Sequence, residues 1–286
     1  MIKPIRFVSL HPSEFYETLK TRVNQHFKDK DISRYANSAM MLKTALLLTG
    51  YLGGFALLLI AHPALHIALF LWAFMGFCLA GIGMSIMHDA NHGAYSKNKQ
   101  VNYWLGHTLN LLGGSVFNWK LQHNYLHHTF TNIANWDEDI QNKLALRLNP
   151  DGAAMPFHRF QYIYAFLLYS IATLYWVIAK DFFQFIRYAK KGINKHNSTE
   201  NRILFLKMTL AKLVYFCSHA CTSSPPIEHC ILALANAVSY HALFCRNYSY
   251  CNLQLAHTLS LKPRTPFPPK TAPLKMLGLF TNADYG

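Results

Sequence analysis

Charge is what this sequence has least of. Only 14% of its 286 residues are Asp, Glu, Lys or Arg, where a soluble chain carries about a quarter. Positions 44–87 contain none of the four. A helix needs about 20 apolar residues to cross a bilayer. The uncharged run therefore predicts two membrane segments, 44–61 and 64–87, turning at His62-Pro63 as a tight hairpin. A buried pair of soluble core helices is the alternative, and so long an uncharged run argues against it. Cysteine is scarce and unpatterned. Cys78 falls in the second segment, and Cys217, Cys221, Cys230, Cys245 and Cys251 fall in the last third. The cysteines show no metal-finger spacing of the Cys-x-x-Cys type, and they do not read as a disulfide framework. The first 35 residues are polar and lack the pattern of a cleavable signal peptide. There is no internal repeat.

Acidic residues are fewer than basic ones, 13 against 27, for a net charge of +14. Nucleic acid is not the reading. The basic residues gather at the chain start and between Lys180 and Arg202, as flanks of membrane spans do under the positive-inside rule, with anionic headgroups adding attraction. Residues 1–43 read as a cytoplasmic amphipathic lead-in and 44–257 as a membrane domain. In that domain, 101–119 is uncharged but carries Asn102, His107, Asn110 and several glycines, which suits a shallow or re-entrant segment. Residues 160–179, rich in Tyr and Trp, are read as lying in the interface. Further apolar stretches at about 205–227 and 230–252, interrupted by Lys207, Lys212 and Glu228, would form a second hairpin. The expected fold is all-α, an integral membrane protein with about four transmembrane helices in two hairpins and a cytoplasmic, histidine-rich cap. Residues 258–286 form an aberrant Lys- and Pro-rich tail.

Chemistry concentrates in five histidines. His88-Asp89-Ala90-Asn91-His92-Gly93-Ala94 follows directly on the uncharged run, and His123-Asn124-Tyr125-Leu126-His127-His128-Thr129 lies shortly after. On a regular helix, His88 and His92 share a face, as do His123 and His127, with His128 about 100° round from His127. Imidazole suits Fe, Zn, Cu and Ni. Five imidazoles exceed what one tetrahedral zinc takes, which favours two metals at a membrane edge. Asp89, Asp137 and Asp139 are candidates to orient the ring nitrogens, although Asp137-Glu138-Asp139 also reads as a solvated loop. His11, His26, His107, His158, His196, His219, His229 and His241 read as hydrogen-bonded surface residues, and His62 and His66 as flanks of the first turn.

The two boxes, with Thr131-Asn132 and Asp137-Glu138-Asp139 after them, resemble those of the membrane fatty-acid desaturase family, and the likeness runs from about Arg6 to about Phe216. The resemblance implies a non-haem di-iron centre ligated by His88, His92, His123, His127 and His128. That centre uses O₂ and two electrons to set a cis double bond into an acyl chain carried on CoA, a lipid or a carrier protein. Gln254-Leu255-Ala256-His257 resembles the segment after the family's last span and makes His257 a sixth candidate ligand. With no His-Pro-Gly-Gly motif for haem, a separate ferredoxin or cytochrome b5-like donor is implied.

One departure stands out. The family's third box, (Gln or His)-x-x-His-His, has no match after His128. Five of six cysteines, seven of twelve prolines and only two acids, Glu228 and Asp284, fall after Asn201. A truncated or frame-shifted C-terminal part accounts for all of these, and an inactive enzyme would follow. Translating the other two reading frames tests that: neither yielding apolar spans and a third box would refute it. A di-iron lipid or alkane hydroxylase and a non-catalytic metal-binding membrane protein are the alternatives. Transport is disfavoured, because the two apolar segments offer few polar side chains to pass an ion.

Overall fold

The computed structural model describes residues 14–221 except 134, 142–144 and 150–152. His257, the stretch 230–252 and the tail 258–286 lie outside the described residues, as do His11, His229 and His241. Every regular element among the described residues is helical, with no β-strand element.

Helix α1 (Glu14–Asp29) has acids in its first turn and His26 and Lys28 in its last, matching the helix dipole, and buries none of its residues. Asn37 opens α2 (Ser38–Ala61) by accepting a hydrogen bond from the Met40 amide. The helix ends where His62 takes a left-handed φ of 41° and Pro63 forbids continuation. Helix α3 then runs Leu65–Asn91. Both α2 and α3 are long and apolar enough to cross a membrane. Leu46, Leu52, Leu57, Ile60, Phe70 and Phe77 point outward from them, an apolar surface that water would not favour.

Small residues bring α2 and α3 together, antiparallel. A Cβ on Gly54 would lie 2.9 Å from Met75 Cγ, and one on Gly81 2.7 Å from Leu47 Cδ1, the close backbone approach that glycine permits between apolar helices. Between them Tyr51, Leu58, Trp72, Met75 and Leu79 are buried, and the cluster extends through Ile82 and Ile86 to Leu109 and Leu112.

The uncharged segment after box one is not one continuous helix. Helix α4 (Lys99–Gly106) passes into a 3₁₀ turn, His107–Leu112, which Gly113 stops with φ of 73°. Ser115 caps α5, which runs Val116–Trp119, then a π-helical stretch Lys120–His127, then His128–Phe130. Helix α6 joins Gln161–Tyr175, a π turn Trp176–Lys180 and Asp181–Lys190. Of the segment 160–179, expected to lie in the interface, residues 161–179 belong to this one longer helix and Phe160 ends the 3₁₀ turn before it. Helix α7 (Ser198–Cys221) follows. It covers the start of the stretch expected at 205–227 and carries Lys207 and Lys212 without a break.

Candidate metal centre

Box one sits at the C-terminal end of α3. A π turn, Ile82–Met87, feeds into His88–Asn91. The His92 amide donates to the His88 carbonyl at 3.1 Å, so the two side chains share a face one turn apart, as the spacing predicts. The end is a Schellman motif: Gly93 N–H donates to Ala90 O (2.9 Å) and Ala94 N–H to Asp89 O (2.8 Å), with Gly93 at φ 69°. Asn91 is buried and ties the box down. Its Nδ2 donates to Gly106 O (3.1 Å), and its carbonyl accepts from Asn124 Nδ2 of box two (3.0 Å). Gly106 is required there, because a Cβ would collide with Asn91 Oδ1.

Box two corrects the sequence reading. A regular helix would turn His128 about 100° away from His127. Instead His123 and His127 lie in the π stretch, whose i→i+5 pairing brings both later histidines back beside the first. The His123 ring centre lies 5.3 Å from that of His127 and 4.7 Å from that of His128.

The two boxes face each other. His88 Nε2 is 3.2 Å from His123 Nε2, and His92 Nε2 is 3.4 Å from His128 Nε2. One nitrogen from each of His88, His92 and His123 lies within 4.8 Å of the others. The five box histidines are thereby brought together, and the sixth candidate, His257, lies outside the described residues. At these distances two protonated nitrogens would repel, so at least one nitrogen of each pair must offer its lone pair, to its neighbour's N–H or to a metal. Burial, then the neighbouring His88 and His128, push His92 down to about 3. Burial, then His127 and His88, push His128 down to about 4, against the pull of Asp137. Burial and the other four rings hold His123 far below the usual imidazole range. Neutral imidazole is the form that binds a metal, and the donor set therefore fits one.

His127 is arranged differently. Burial lowers its pKa, but the hydrogen bond from Nδ1 to Asp137 and the charges of Asp139 and Asp137 more than offset this, and the net shift is upward. Nδ1 lies 3.1 Å from each Asp137 oxygen and 3.2 Å from Asp139 Oδ2. A proton held there leaves Nε2 as the lone-pair nitrogen. Asp89 Oδ1 does the same for His88 Nδ1, at 3.1 Å.

The solvated-loop reading of residues 137–139 fails for Asp137, whose side chain is 0% exposed. Asp137 accepts from the amides of Asn132 (2.9 Å) and Asp139 (3.0 Å). Glu138, in the same loop, accepts from Arg187 Nη2 (2.8 Å), Gln184 Nε2 (2.9 Å) and Tyr188 Oη (3.0 Å). Gln184 also donates to Gln122 on α5 (2.7 Å), which donates on to Asp139 (2.8 Å). Sequence reasoning missed this web. It also missed Trp119, which stacks on His123 at 4.5 Å and stands 5.8 and 5.7 Å from His88 and His92. Trp119, one turn ahead of His123, is the one of these that helical spacing could have flagged.

The remaining described histidines stay apart from the cluster. His107 bonds Tyr103 O, His196 pairs with Glu200, and His158 accepts from the Met155 amide. His219 bonds Tyr215 O, as a hydrogen-bonded residue was expected to, but packs on Phe55 and Trp72 and is half-buried rather than at the surface.

The family model for fatty acid desaturase matches residues 65–253. The chain belongs to the fatty acid desaturase family. The match runs from α3 through both boxes and extends past Phe216, further than the motifs alone carry the resemblance. Among curated relatives, an acyl-lipid (8-3)-desaturase of Physcomitrium patens is 34% identical over 185 residues, covering 62% of this chain and 38% of the relative. An sn-1 linoleoyl-lipid 6-desaturase of Arthrospira platensis is 35% identical over 165 residues, 58% of this chain and 45% of the relative. One of the same description from Synechocystis sp. is 34% identical over 164 residues, 57% and 46%. The chain thus spans less than half the length of these desaturases. No solved structure matches.

Proposed function

We propose that this chain is a fatty-acyl desaturase whose di-iron centre is held by His88, His92, His123, His127 and His128, with His257 as a further ligand. Asp89, Asp137 and Asp139 orient the imidazoles. The single observation that carries the reading is the convergence of ring nitrogens from two boxes, 3.2 and 3.4 Å apart, in a chain of this family. The two irons, when bound, supply with O₂ and two electrons the oxidising power to take two hydrogens from an unactivated acyl chain. The protein's own part is to keep the rings neutral and aimed, to hold the Nδ1 proton of His127 on Asp137, and to fix the acyl chain beside them. The desaturases it is similar to are named for acyl-lipid substrates, which favours a lipid-linked acyl group over CoA or a carrier protein. The electrons come from a separate ferredoxin or cytochrome b5-like donor.

The accompanying topology is a multi-pass membrane protein with about four spans in two hairpins. Residues 1–43 form the lead-in, 44–257 the membrane domain and 258–286 the tail. The N-terminus and both boxes face the cytoplasm, where basic flanks favour them.

Iron analysis of the purified chain, with mass spectrometry of host lipids after expression, tests the reading. Two irons per chain and acyl chains lighter by two hydrogens support it. Added oxygen instead would make the chain a hydroxylase, and bound iron with unchanged lipids a metal-binding protein without this activity.

A further inference from the structure

At the root of α5, behind the histidines, lies a second polar knot that metal binding does not account for. Lys212 sits mid-way along α7 beside the outward-facing Leu210 and Leu213, yet it is only 5% exposed. Its Nζ stands 2.9 Å from Asp181 Oδ2, an aspartate 2% exposed. The same ammonium donates to the carbonyls of Gly113 and Val177 at 2.8 and 2.5 Å. Asp181 Oδ2 accepts from the Ser115 amide (2.9 Å), and its main-chain oxygen accepts from Asn118 Nδ2 (2.7 Å). Ser115 caps α5, and Asn118 is in its first turn. One ion pair therefore joins α7, the π turn of α6, the left-handed bend at Gly113 and the start of the helix that carries box two.

Burying two charges costs several kcal/mol per ion, and an apolar pair of the same shape is often as stable. Stability alone does not explain the pair. We propose that Asp181 and Lys212 are positioning residues for the second histidine box: the pair locks the first turn of α5 onto α6 and α7 and so sets where His123, His127 and His128 point. What those histidines hold rests on the function proposed above. The locking is measurable without it.

The test uses the full chain in detergent as Lys212→Met, as the double variant Asp181→Asn/Lys212→Met, and as Lys207→Met, a control on an exposed lysine of the same helix. Hydrogen exchange is followed over residues 115–128, and Co²⁺ is titrated with its visible spectrum recorded. Lys212→Met is expected to raise exchange in 115–128 while α2 and α3 keep their protection, to weaken Co²⁺ by about tenfold or more, and to shift its spectrum. The double variant, left with no unpaired charge, recovers thermal stability but not the spectrum or the protection of 115–128. If Lys212→Met does not fold, the double variant decides. Exchange over 115–128 equal to that of Lys207→Met, or a double variant that restores protection and spectrum together with stability, overturns the proposal. A wild-type chain that takes up no Co²⁺ sinks the metal reading, and the exchange comparison still decides this one.

Discussion

Box one and box two carry the same His-x-x-x-His spacing on two different supports. Box one ends a long apolar helix, is closed by a glycine turn, and has its carboxylate, Asp89, 44% exposed. Box two rides a π stretch in a short helix, has one of its two carboxylates, Asp137, fully buried, and is held from outside by polar contacts from α6 and the 137–139 loop. The first box is aimed mainly by apolar packing and backbone hydrogen bonds, with Asn91 as its one buried side-chain tie. The second is aimed by charge and side-chain hydrogen bonds. Equal spacing in sequence therefore does not mean equal sensitivity to mutation, since a buried carboxylate–imidazole pair is screened by protein and an exposed one by water.

The largest effect is expected where the two boxes meet. His123 is in ring contact with His88, His92, His127 and His128. His123→Ala should reduce bound iron to background while far-ultraviolet circular dichroism still reports a helical chain. Retained iron would remove His123 from the centre. The next test sets the boxes directly against each other. Asp137→Asn should lower metal affinity by about 10- to 100-fold and reduce stability by about 1–3 kcal/mol, because it leaves the amides of Asn132 and Asp139 and the ring of His127 with a poorer acceptor in a dry site. Asp89→Asn, whose carboxylate water can replace, should change affinity much less. Equal losses in a metal titration would erase the distinction between the boxes.

Much of this was legible in the sequence because composition reports it. The uncharged run located α2 and α3 to within a few residues at most ends, His62-Pro63 marked the turn, and the two boxes named the histidines that converge. What could not be read is hydrogen-bond register and partnership. Nothing in the composition of Lys120–His127 signals a π helix, yet that register decides where His128 points. Asp137 and Asp139 look alike in sequence and differ in burial, because only Asp137 caps its own loop. Lys207 and Lys212 likewise interrupt one apolar stretch in the same way. Only Lys212 turns inward, where Asp181 and two backbone carbonyls meet it, and those partners are set by the packing of three helices.

Two glycines separate packing from backbone conformation at box one, and their effects should fall in that order. Gly106→Ala drives a methyl into Asn91 Oδ1. It should cost about 1–3 kcal/mol in thermal unfolding and loosen both boxes at once, since Asn91 holds Gly106 through its side chain and Asn124 through its carbonyl.

Gly93→Ala is the smaller change. No atom lies within 4 Å of an added Cβ, so the cost is the left-handed φ of 69° alone, about 1–2 kcal/mol. Gly93→Asn should recover part of it, because asparagine tolerates that conformation at a helix end. Iron content should hold in both, since His88 and His92 lie N-terminal to the strained residue within the hydrogen-bonded turn. Loss of iron in Gly93→Ala with recovery in Gly93→Asn would mean that the turn aims His92 directly, and that box one depends on local backbone geometry as box two depends on charge.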